Sequence, residues 1–164
     1  MKISYNWLKE YIDFDLSPEE LGDILTMIGL EVEGTENFET VKGGMEGCFI
    51  GQVKECTKHP NADKLTVNKV DIGTGTPLEI VCGAPNVAVG QKVVVATVGT
   101  TLYQGENSLT LKKRKIRGEV SEGMICAEDE IGLGTDHDGI LILDKTAEVG
   151  TPAREYFNIT RDTV

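Results

Sequence analysis

Five cations fall within six positions of this chain: Lys112, Lys113, Arg114, Lys115 and Arg117, in the run LKKRKIRG. Taking those five from the 16 Lys and Arg leaves 11 against 27 Asp and Glu, in a chain whose formal charge is −11. Neutralising phosphates is the chemistry such a cluster can do. Read as a strand through LTLKKRKIRG, alternation sends Leu109, Leu111, Lys113, Lys115 and Arg117 to one side, and Thr110, Lys112, Arg114 and Ile116 to the other. Lys113, Lys115 and Arg117 then share one basic face, in steps of about 7 Å. An edge strand guarded by lysines against aggregation produces the same run, and charge alone does not separate the two readings.

The residues that follow add polar and adaptable groups. RGEVSEGMICA supplies Gly118 for a turn, a Ser121 hydroxyl, Gly123 for close backbone approach, and the Met124 thioether. Hydroxyls and free amides bond phosphates or base edges, and a flexible thioether packs on a nucleotide face. Taken singly, Ser121 capping a turn and Met124 filling a core describe the same residues as well.

Other chemistry is harder to assemble. There is no Gly-x-Ser-x-Gly elbow, no P-loop and no Gly-x-Gly-x-x-Gly before a helix. GTGT at 73–76 joins two predicted strands, so no helix N-terminus follows to hold an anion. Glu128, Asp129 and Glu130 read as a solvated helix start. The two histidines, His59 and His137, flank no nucleophile. Asp136, His137 and Asp138 lack calcium-loop spacing and read as a polar turn before ILIL. Cys48, Cys56, Cys82 and Cys126 contain no C-x-x-C pair, so they are expected to be buried free thiols, not zinc ligands. Neither a catalytic residue nor a metal site is expected in these residues.

The elements that must position the basic run fall into two textures. Residues 1–30 read as helical. SYNWLKEYI spaces its apolar residues by three and four, and SPEELGDILTMIG has Ser17 as N-cap, Pro18 at the first helical position and Glu20 closing a capping box. Gly29 is the stop, and LEVEGTENF alternates as a strand. From about residue 43 to 150 short strands alternate with Gly-rich turns: CFIGQVKECTK, LTVNKVDIG, LEIVCG, KVVVATVG, SLTLKKRKI, GMICA and GILIL. TPAREYF then predicts a last helix, with Thr151 as N-cap and Pro152 first. No apolar stretch reaches the ~18–20 residues that span a bilayer, and MKISYNWLKEYIDFD lacks an apolar signal core. The expected setting is the cytoplasm, without a membrane partner.

Three motifs in order, HPNADKL at 59–65, IVCGAPNV at 80–87 and KIRGEVSEGMICA at 115–127, closely resemble the tRNA-binding OB-fold module of several tRNA-associated proteins. The flanking MKISYNWLKEYIDFDLSPEELGDILTMIGLEVEG and ILILDKTAEVGTPAREYFN resemble the bacterial phenylalanine–tRNA ligase β-subunit family, so that the likeness covers essentially the whole chain. The resemblance implies an α+β fold: a five-stranded Greek-key OB barrel over 41–150, inserted into a small discontinuous α/β domain made of 1–40 and 151–164. It implies an N-terminal fragment of a longer subunit and a tRNA partner, with no DNA partner. It further implies a parent ligase of two α and two β subunits that attaches phenylalanine to tRNA with ATP and magnesium. The catalytic site would lie on α, and the editing and anticodon-binding domains beyond Val164, with no cofactor bound by these residues. A free-standing tRNA-binding protein of the same fold, and an OB scaffold for subunit assembly without RNA contact, are the competing readings. For RNA contact the expected set is Lys113, Lys115 and Arg117 on one basic face, with Asn61, Lys64, Asn86, Ser121 and Met124 gathered beside it at one rim of the barrel.

Overall fold

The computed structural model describes residues 1–164, which divide into two compact units: Met1–Thr40 with Thr160–Val164, and Val41–Ile159.

In the first unit, α1 (Tyr5–Tyr11) starts at Ser4, whose hydroxyl accepts from the Trp7 amide. Helix α2 (Pro18–Met27) starts at Ser17 with the full capping box: Ser17 accepts from the Glu20 amide and Glu20 accepts from the Ser17 amide. The expected strand over LEVEGTENF shortens to β1 (Asn37–Glu39), antiparallel to β12 (Arg161–Thr163). Asp162 ties α1 to that ribbon by accepting from the Asn6 amide at 3.0 Å and from the Ser4 hydroxyl. Leu21, Ile24, Leu25 and the C-cap Ile28 recur at helical spacing along α2, a pattern that predicts a buried stripe, yet neither helix has a buried residue.

The second unit is a nearly closed antiparallel barrel. Its strands are β2 (Cys48–Lys58), β3 (Thr66–Asp71), β4 (Leu78–Cys82), β5 (Lys92–Thr97) and a short strand, β10 (Gly123–Ile125). They order as β10-β5-β2-β3-β4, with β11 (Ile142–Leu143) on β5. Beyond this path, the amide of Glu122 reaches the Glu79 carbonyl at 2.8 Å, drawing β4 towards β10. The order is that of an OB fold. Val93, Val94 and Val95 are all fully buried because β5 lies between two cores. Val93 and Val95 face a cluster with Val53, Val70, Ile80 and Ile125; Val94 and Ala96 face another with Ile50, Leu102, Leu111 and Cys126. Strand β2 carries a bulge between Val53 and Glu55 and serves β5 with one half and β3 with the other. Where it crosses, a Cβ on Gly51 would come within 2.8 Å of Val70 Cγ1 and 2.9 Å of Val95 Cγ2.

Three expectations change. Helix α3 (Ala153–Tyr156) is capped by Pro152, not Thr151, and no side chain caps it. The Thr151 carbonyl instead accepts from the Ile50 amide at 2.9 Å, and Pro152 bridges to Phe49. Ala153 is fully buried in the barrel unit, with Tyr156, Phe157 and Ile159 packed on that core, so residues 151–159 go with the barrel and the chain returns to the first unit only at Thr160. The run SLTLKKRKI is two strands: β7 (Asn107–Thr110) pairs with an unforeseen β6 (Thr101–Gln104), and β8 (Arg114–Ile116) pairs with an unforeseen β9 (Glu119–Ser121). The break follows from Leu111, which is buried while its amide and carbonyl bond Thr100 and Gly99.

Candidate nucleic-acid interface

The basic run becomes a hairpin, and its geometry differs from a single alternating strand. Ile116 pairs with Glu119 across a two-residue tip, Arg117 and Gly118, whose φ values of 51° and 102° are both left-handed. That is a type I′ turn. Lys112 and Lys113 precede β8; within it Arg114 and Ile116 share one side and Lys115 takes the other. Of the expected basic face only Lys115 lies within a strand: Lys113 precedes β8 and Arg117 sits in the turn. Lys113 bonds Glu122 at 2.7 Å, and that ammonium, followed by the Glu79 amide at 3.4 Å, holds the Glu122 carboxyl below its ordinary value. Lys112, Arg114, Lys115 and Arg117 are exposed and make no ion pair.

The loop of the first motif docks on this hairpin. His59, only 5% exposed, sets its Nε2 2.8 Å from the Ile116 carbonyl, while its Nδ1 lies 3.0 Å from the Asn61 amide. A neutral ring protonated at Nε2 satisfies both: Nε2–H donates and Nδ1 accepts. The Asn61 side-chain amide donates to the Arg117 carbonyl at 3.3 Å. The loop closes on itself through His59 N–H to Leu65 O and Leu65 N–H to Ala62 O, leaving Lys64 exposed.

The other expected site residues are used inside the molecule. Ser121 is 3% exposed; its hydroxyl accepts from the Val81 amide at 3.2 Å and donates to the Gly123 carbonyl at 3.0 Å, so it closes the barrel and offers nothing outward. Asn86 mimics a strand partner for Ile140, accepting from its amide at 2.9 Å and donating to its carbonyl at 3.0 Å. Met124 is half-buried against the core opposite Ala96. Of the expected set, Asn61 and Arg117 meet directly; Ser121 links the second and third motifs, and Asn86 is spent on the 139–140 turn. Sequence reasoning missed His59 and Glu122. The signal for His59 was its place at the head of HPNADKL, and none marked Glu122.

No three or more His, Cys, Asp or Glu are arranged to hold a metal ion. The GTGT turn leads into β4, not a helix, with Asp71 accepting from the Gly73 amide. Cys48, Cys82 and Cys126 are buried and unpaired, and burial pushes the Cys48 thiol up to about 11.

An OB-type barrel carrying a hairpin of exposed cations is the architecture of a β-barrel module of the kind that can bind nucleic acid. Residues 49–152 match the family described as "Putative tRNA binding domain", and the chain belongs to that family. It is 59% identical over 164 residues, all of this chain and 20% of the relative, to the phenylalanine–tRNA ligase beta subunit of Bacteroides fragilis. It is 57% identical over 162 residues, 99% of this chain and 20% of the relative, to the same-named subunit of Porphyromonas gingivalis. The chain thus spans about a fifth of the length of the curated relatives it matches. Among solved structures it is similar to a MetRS related protein from Pyrococcus horikoshii, with 22% identity and a TM-score of 0.46 over 63% of this chain and 85% of that one. That likeness is too slight to bear on function.

Proposed function

We propose that this chain is the tRNA-binding N-terminal region of a phenylalanine–tRNA ligase β subunit, in which the β8–β9 hairpin and the 59–65 loop touch the sugar–phosphate backbone. One observation carries the RNA contact: four of the five clustered cations have no acidic partner in a chain of net charge −11. Exposed cations gathered on one hairpin without carboxylate partners are available to neutralise phosphates. The proposed contacts are Lys112, Arg114, Lys115 and Arg117, with Lys64 beside them and Asn61 in support; Asn86, Ser121 and Met124 serve the barrel. The whole-chain likeness to β subunits supports a parent ligase of two α and two β subunits in the cytoplasm. ATP and magnesium would serve its α subunit; these residues offer no Gly-rich loop before a helix and no cation ligand set.

The intramolecular use of Asn86 and Ser121 favours a second reading, in which the barrel is a scaffold that never touches RNA. Titrating tRNA against the chain at several salt concentrations decides between them. The RNA reading expects weak binding with a log–log slope of about −2 to −4, and expects Lys115→Ala with Arg117→Ala to weaken binding and flatten that slope. If the double variant binds as the parent does at low salt, the hairpin is not the contact; if the parent itself shows no salt-dependent tRNA binding, the scaffold reading stands.

A further inference from the structure

We propose that His59 and Asn61 are positioning residues for RNA contact: they clamp the β8–β9 tip so that Arg117, held in left-handed backbone, presents its guanidinium to a phosphate. The inference rests on the RNA-binding reading above. A two-residue I′ turn favours Asn, Asp or Gly first and Gly second. Here Gly118 obeys that preference and Arg117, at φ 51°, does not. An arginine at this position is strained, and strain persists where the surroundings over-determine the conformation. The surroundings do so: the carbonyls of Ile116 and Arg117 are both captured, one by His59 Nε2 and the other by the Asn61 side-chain amide. His59 is in turn fixed by accepting from the Asn61 backbone amide, so one buried ring and one loop residue hold both sides of the tip. A turn required only for the fold would be better served by Gly or Asn. The remaining reason for arginine is its side chain, which is exposed and without an ion-pair partner.

The test uses the 164-residue chain with Arg117→Gly, Asn61→Ala, His59→Gln, His59→Ala and Lys115→Ala. Urea midpoints, amide exchange at Gly118 and Glu119, and tRNA affinity over a salt series are measured for each. Arg117→Gly should raise the urea midpoint, yet weaken tRNA binding about threefold to tenfold and make the salt slope shallower by about 0.7–0.9, one phosphate contact. Asn61→Ala should speed exchange at the tip and weaken binding with the slope unchanged, because the cation stays but is no longer held. His59→Gln, which keeps an acceptor and a donor, should bind better than His59→Ala. Should the latter unfold the barrel, Asn61→Ala carries the test, since that residue is exposed. Unchanged affinity in Asn61→Ala despite faster exchange overturns the positioning role, as does unchanged affinity in Arg117→Gly. Lys115→Ala tells the two levels apart. If it weakens binding while the clamp variants do not, only this inference fails; if none of them weakens binding, the RNA reading fails with it.

Discussion

Ser121 shows how a polar residue in a binding motif can face inward. Its hydroxyl is the partner of the Val81 amide at the seam where the barrel closes. Ser121→Ala leaves that buried N–H without an acceptor, a loss of about 1–3 kcal/mol. We expect a lower urea midpoint with unchanged tRNA affinity wherever the variant is folded; a selective loss of affinity would restore the hydroxyl as an RNA ligand. Beside it, Glu122 ties the same seam to Lys113 and to the Glu79 amide. Its folded-state value lies below its ordinary one, so its contribution is complete above the ordinary carboxylate value and is lost as pH falls through the lowered folded value. Urea midpoints followed into acid should fall less steeply for Glu122→Gln than for the parent. The group is partly exposed, so the difference is small.

At the scale of elements, β2 explains why the barrel tolerates so little change at one glycine. Gly51 is where the strand passes from pairing β5 to pairing β3, and a Cβ there would meet Val70, Val95 and, at 3.2 Å, the Asp71 carbonyl. Two of the three are core side chains and the third is backbone, so none swings aside freely. Gly51→Ala should cost about 1–3 kcal/mol as an overpacking change. A midpoint equal to the parent's would mean the β2 bend relaxes. Strands β7 and β8 read as one strand in the sequence because LTLKKRKI carries no turn residue between them. What divides it is Leu111, whose burial and paired backbone turn the chain before the lysines. A single apolar residue looks the same in sequence whether it continues a strand or ends one.

Across the whole molecule, stability is unevenly distributed. Residues Met1–Thr40 with Thr160–Val164 contain no buried side chain, whereas β5 alone buries Val93, Val94, Val95 and Ala96 completely. Segments with little apolar burial open at low free-energy cost. Amides of α1 and α2 should therefore exchange well before those of β2 and β5 in native-state hydrogen exchange, and comparable protection would contradict this account. The sequence by itself determined what depends on local pattern. Ser17 with Glu20 specified the α2 cap, and alternation with Gly-rich turns specified the barrel strands Cys48–Lys58 and Lys92–Thr97. Three ordered motifs specified the family. Tertiary structure alone decided which polar groups remain available, because that depends on partners distant in sequence. Asn86 meets Ile140, Ser121 meets Val81, and Lys113 bonds Glu122 across a turn, while His59 reaches Ile116 over 57 positions. Composition announces a donor or a charge, but burial and pairing decide whether it faces solvent, and both are properties of the closed barrel.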